Sequence, residues 1–71
     1  MTDKKTFGSF IKLKRIEKQY SQKDLADLLF VTEGAVSKWE RGEMTPTIER
    51  LKQLADLYNT SIDALVGHER A

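Results

Sequence analysis

Hydrophobic residues recur along this chain at helical rather than alternating spacing, and the pattern predicts an all-α protein of five short helices. The first covers about residues 6–19, with Phe7, Ile11 and the stem of Lys14 on one face. Phe10, Leu13 and Ile16 widen its apolar arc beyond a single stripe, and the core is the expected place of Phe10 and Leu13. Ser21 is placed as an N-cap, and Asp24 three residues on gives a pattern close to a capping box. The second helix, residues 22–29, turns Leu25, Ala26, Leu28 and Leu29 inward, and the small Ala26 admits a neighbouring helix closely. Thr32 caps a third helix, residues 33–41, anchored by Val36 and Trp39 and stopped by Gly42. Pro46 suits the first position of a fourth helix, about residues 46–58, which carries Ile48, Leu51, Leu54, Ala55, Leu57 and Tyr58, with Asn59 just beyond it. Ser61 caps a last short helix, residues 62–66, ended by Gly67, and residues 68–71 read as a frayed tail.

Length and composition narrow what such a bundle can do. The 71 residues suit one domain, residues 1–71 with a core of about 6–67. A chain of this size buries only about 60% of its unfolded surface, which leaves little room for an enclosed pocket. There is no cysteine and a single histidine, His68, so neither a disulfide framework nor a thiolate or paired-histidine metal site is expected. No metal, cofactor or small-molecule ligand is expected, and no nucleophile stands paired with a base, so an enzyme is not expected either. The N-terminus lacks the apolar run of a signal peptide, and no stretch approaches the ~18 apolar residues of a membrane span. The expectation is a cytoplasmic protein with no membrane partner.

The net charge of +1 conceals a division. Residues 1–23 hold seven basic residues against two acids, a net +5, whereas the remainder holds five against nine, a net −4. A basic segment of this kind suits a polyanion, and equally a solvated lysine-rich helix, so charge alone leaves both readings open.

The connection between the second and third helices narrows the choice. Only Phe30, Val31 and Thr32 join them, the proportion of a helix-turn-helix. Counted from Gln22, Ala26 stands fifth, Phe30 ninth, Val36 fifteenth and Trp39 eighteenth, which supplies one small and two apolar residues to a steep helix crossing. The run Ser-Gln-Lys-Asp-Leu-Ala (Ser21 to Ala26), then Val-Ser-Lys-Trp-Glu-Arg-Gly (Val36 to Gly42), then Pro46, resembles the phage-repressor (Xre/Cro-type) DNA-binding domain. The resemblance covers about residues 7–67 and implies a compact, lambda-repressor-like fold. It implies a sequence-specific regulator of transcription, with repression the expected sign, whose third helix enters the major groove of an operator. Double-stranded DNA is then the expected partner. A homodimer, at least on DNA, is expected through the last helix, at Ile62, Ala64, Leu65 and Val66, or through its more outward residues alone if Ile62 and Leu65 close the core. In the resemblance Gln22 bonds a DNA phosphate, Arg41 lies near the backbone, and Arg15 and Glu40 form a structural pair tying the first helix to the third.

Helical geometry says which face of the third helix is free. If Val36 and Trp39 point inward, Glu33, Gly34, Ser37, Lys38 and Arg41 share the opposite face, as base contacts or as ordinary solvated positions. Lys38 can donate to guanine O6 or N7, Glu33 can accept from cytosine N4, and Ser37 suits either kind of edge. Gly34 permits close backbone approach. Lys23, Thr32 and Thr45 join Gln22 and Arg41 as phosphate candidates, with Lys14 and Thr47 as further ones. Two departures from the family pattern stand out. Phe30 occupies a position where relatives often have glycine, and Phe10 and Leu13 are apolar where relatives are commonly polar. Exposure of that apolar pair, with the acidic second half, would suit the alternative reading: a protein-interaction module of the same fold, such as an antitoxin-like partner binder.

Overall fold

The first amphipathic segment forms α1, Lys4–Glu17, and buries Phe7 and Ile11. A computed structural model describes residues 4–62 and 65 of the chain, with side chains from Phe7 onward. Helices α2 (Gln22–Leu29) and α3 (Glu33–Arg41) follow the boundaries expected from their caps, and α4 runs Ile48–Leu57. Helix α1 packs against α3, and α2 packs against both α3 and α4. The core between them gathers Phe7, Ile11, Leu25, Ala26, Leu29, Val36, Trp39, Leu51, Leu54, Ala55, Tyr58 and Leu65.

The described residues contain four helices where five were expected. Within the expected fifth, residues 62–66, Ile62 and Leu65 are helical. The Leu65 N–H donates to the Ser61 carbonyl at 3.2 Å, and Leu65 is fully buried. Ala64 and Val66, offered as dimer contacts, lie outside the described residues, as do the stop at Gly67 and the tail from His68.

Side-chain hydroxyls set the helix starts. Ser21 and Asp24 form a complete capping box: Ser21 Oγ accepts from Asp24 N and Asp24 Oδ2 accepts from Ser21 N, both at 2.9 Å. Those bonds hold the Asp24 carboxyl below its ordinary pKa. Thr32 Oγ1 accepts from Ala35 N at 3.1 Å to open α3. The start of α4 differs from expectation. Thr47 is its N-cap, accepting from Arg50 N at 3.3 Å, so Pro46 lies outside the helix, buried, rather than at its first position. A threonine beside a proline takes the cap because its hydroxyl satisfies an otherwise orphaned N–H.

Several apolar residues lie outside the core. Leu13, Ile16, Leu28 and Ile48 are exposed, and for Leu13 and Leu28 this corrects the expectation that they would join the core. Each stands at the margin of a wide apolar arc, and a domain of short helices this small has interior for only the middle of it. Phe10 is half-buried and packs on the core, with the Lys14 ammonium 5.5 Å from its ring centre. Three helices end without glycine in left-handed conformation, at Gln19 (φ 63°), Phe30 (φ 58°) and Asn59 (φ 53°). Phe30 carries the left-handed cap of α2 and is 83% exposed.

Candidate nucleic-acid interface

Helix α3 is held on its inner side by three kinds of contact. Val36 and Trp39 are buried in the core. Gly8 of α1 meets the carbonyls of Trp39 and Glu40 so closely that a Cβ there would lie 2.5 Å from each oxygen. Only glycine lets the two helices come this near. The third contact is polar: Arg15 Nε donates to Glu40 Oε2 at 2.7 Å and Arg15 Nη2 to Oε1 at 3.2 Å. Arg15 Nη1 also donates to the Tyr20 carbonyl at 2.7 Å, and Gln22 Nε2 donates to Glu40 Oε1 at 3.0 Å. One carboxylate thus joins α1, the opening turn of α2 and the last turn of α3. The Arg15 and Glu40 side chains are 11% and 3% exposed, so water screens the pair little. Burial, with the Glu40 carboxylate near, pushes the Tyr58 hydroxyl above its ordinary pKa.

Fixing Val36, Trp39 and Glu40 inward determines what α3 turns outward. Glu33, Gly34, Lys38 and Arg41 are exposed and Ser37 is half-exposed, so the five residues named from the sequence share the outer face. Gly34 has open space around it: an added Cβ would meet only Thr32 Oγ1, at 3.9 Å. Lys38 makes no ion pair among the described residues. Arg41 Nη1 bonds Ser37 Oγ, while Arg41 Nε and Nη2 bond Glu43 Oε2 and Oε1 at 2.9 and 3.1 Å.

The phosphate candidates are placed less uniformly. Gln22 opens α2 with one amide hydrogen on Glu40, which leaves the second for another acceptor. Lys23 is exposed and pairs with Asp27 at 3.1 Å across one helical turn. The Thr32 oxygen serves the α3 cap while its hydroxyl hydrogen remains a donor. Thr45 is exposed in the α3–α4 loop. Two residues of this region escaped the sequence reading. Gly8 had a signal, a glycine interrupting an amphipathic helix, which marks close backbone approach. Glu43 had none, because it lies past the end of α3, where periodicity ceases.

The helix–turn–helix formed by α2, the Phe30–Val31–Thr32 turn and α3 accords with a family model described as helix-turn-helix, which matches residues 11–65. The chain belongs to the helix-turn-helix family. It is 35% identical over 63 residues to the HTH-type transcriptional activator BcrR of Enterococcus faecalis, covering 89% of this chain and 31% of that one. It is 38% identical over 56 residues to the HTH-type transcriptional regulator AnsR of Bacillus subtilis, covering 79% and 48%. The chain therefore spans about a third to a half of the length of these relatives. Among solved structures, the P22 c2 repressor protein in complex with a synthetic operator superposes with a TM-score of 0.83 at 30% identity. That match covers 89% of this helix-turn-helix chain and 96% of the repressor chain. The fold also recurs inside an enzyme: hydroxypropylphosphonic acid epoxidase of S. wedmorenis matches with a TM-score of 0.80 at 33% identity, over 35% of its chain. Among the described residues no group of His, Cys, Asp and Glu could hold a metal ion, and no helix is long and apolar enough to cross a membrane.

Proposed function

We propose that this helix-turn-helix protein is a sequence-specific DNA-binding regulator of transcription that inserts α3 into the major groove of an operator. The observation that carries the proposal is the outer face of α3. Its inner side is fixed by Gly8, Arg15 and the core, while Glu33, Gly34, Ser37 and Lys38 project outward with no part in packing. The near full-length likeness to an operator-bound repressor supports the same reading. In this account Lys38 reads guanine O6 or N7, Glu33 accepts from cytosine N4, Ser37 bonds either kind of edge, and Gly34 lets the backbone approach the base pairs. Gln22, Lys23, Thr32, Arg41 and Thr45 contact phosphates and fix the register. The protein binds as a homodimer on half-sites one helical turn apart, and it represses by occupying the site.

Selection of bound sequences from a random duplex pool, followed by titration at two salt concentrations, tests the reading. The expected result is a consensus with two half-sites and affinity that falls steeply with salt. Absence of any salt-sensitive DNA binding overturns it. The Lys38→Ala variant is expected to lose preference for the selected site over random DNA, whereas equal loss on both would make Lys38 a phosphate contact.

A further inference from the structure

Glu43 has a structural task in its backbone and none shown for its side chain. Its N–H closes the C-terminal cap of α3, while the side chain is exposed and, among the described residues, its carboxylate bonds the Arg41 guanidinium through both oxygens. Gly42 adopts a left-handed conformation (φ 77°) and the Glu43 N–H donates to the Lys38 carbonyl at 2.9 Å, the usual glycine cap of a helix end, which places Glu43 just past α3. The turn thus aims an anion back over the end of α3. Arg41, with Lys38 farther off, holds the Glu43 carboxyl below its ordinary pKa, so it remains charged at neutral pH. Two parallel N–H···O bonds from one guanidinium are also the way arginine grips a phosphate.

We infer that Glu43 is an internal phosphate mimic, which occupies Arg41 in the free protein and must be displaced by a DNA phosphate when the protein binds. The inference rests on the DNA-binding reading and adds to it a residue that weakens backbone contact. Displacement exchanges one anion for another at Arg41 and leaves the Glu43 carboxylate beside the duplex. Both effects lower affinity for any sequence, and both reduce the counterion release that Arg41 would otherwise contribute. Operator and random DNA are penalised alike, so Glu43 sets how readily the protein leaves DNA and not which site it chooses.

The experiment compares wild type, Glu43→Gln, Arg41→Ala and the double variant on a random duplex and on the selected operator, across a salt series. Glu43→Gln is expected to bind both duplexes about three- to tenfold tighter at low salt and to steepen the log–log salt slope by about 0.9. In the Arg41→Ala background the same substitution is expected to give no such gain. Wild type that binds with salt sensitivity while Glu43→Gln binds no tighter overturns this inference and leaves the regulator reading standing. A gain that survives the loss of Arg41 also overturns it, because the effect would then be general charge. Wild type that binds no DNA defeats the regulator reading and this inference together.

Discussion

Glu40 and Arg41 are neighbours on α3, one buried and the other exposed, and each belongs to an arginine–carboxylate pair with two hydrogen bonds. Glu40 meets Arg15 in the interior, where the side chains are 3% and 11% exposed. Arg41 meets Glu43 at the surface, where they are 55% and 54% exposed. The chemistry is the same and the consequences differ. The inner pair has given up water on both partners and joins three helices, so neither member can be lost alone. The outer pair can exchange its partner for water, salt or a phosphate at little cost. One helix therefore carries a fixed joint on one side and an exchangeable contact on the other, which suits an element that is held rigidly and binds reversibly.

The largest test of this contrast is Glu40→Ala. It leaves the Arg15 guanidinium buried without its partner and removes the acceptor of Gln22, a loss of about 3–5 kcal/mol. Small domains hold roughly this much stability in total, so urea denaturation followed by circular dichroism is expected to find most of the variant unfolded. Replacing the pair together, Arg15→Met with Glu40→Leu, is expected to restore a cooperative transition, since no buried charge is then orphaned. A Glu40→Ala cost under about 1 kcal/mol would break the contrast at its root.

Next in size is Gly8→Ala. A Cβ 2.5 Å from two carbonyl oxygens forces α1 away from α3, an expected cost of about 1–3 kcal/mol by denaturation. Gly34→Ala is the control, on the outer face of the same joint. Its Cβ enters open space, so the gain in helix propensity is expected to raise stability by up to about 1 kcal/mol. Equal effects at the two glycines would mean that α1 is not closely seated on α3. The turn between α2 and α3 offers a gain of similar size. Phe30 holds a left-handed conformation (φ 58°) and its exposed ring makes little packing in return, so Phe30→Gly is expected to stabilise by about 1 kcal/mol.

The motif helices could be read from the sequence because their boundaries are written in local chemistry. Ser21, Thr32 and Gly42 each act within three or four residues, and the start of α2 and both ends of α3 fall where those residues require. The family resemblance puts glycine where Phe30 stands, and a bulky residue there puts the turn geometry in question; the structure keeps the left-handed conformation at Phe30 (φ 58°). What escaped the sequence depends on distant partners. Periodicity shows that Leu13, Ile16 and Leu28 adjoin the apolar arc, but only packing decides that the interior stops short of them. The Arg15–Glu40 pair, 25 residues apart, was available through the family resemblance alone, and the structure adds Gln22 to it. Gly8 and Glu43 act through backbone proximity and a turn, and neither leaves a periodic trace.

The smallest expected effect is at the outer pair, and its smallness is the content of the prediction. Glu43→Gln is expected to shift the urea midpoint barely, in the destabilising direction, because both partners are half in water in either state. Arg41 depresses the pKa of Glu43 in the folded protein, so any stability the pair supplies is present above the unfolded carboxyl value of about 4.3 and is lost as pH falls through the lower folded value. The difference between wild type and Glu43→Gln should therefore be greatest near neutral pH and close as the carboxyl protonates. In about 1 M salt, where the Debye length is about 3 Å, it should already be gone at pH 7. Glu40 gives the opposite expectation, since salt reaches a buried pair poorly and the Glu40→Ala deficit should persist in the same buffer. A Glu43→Gln deficit that matched that of Glu40→Ala, or that survived high salt, would make the outer pair a second structural joint, and Arg41 could not then be released to a phosphate.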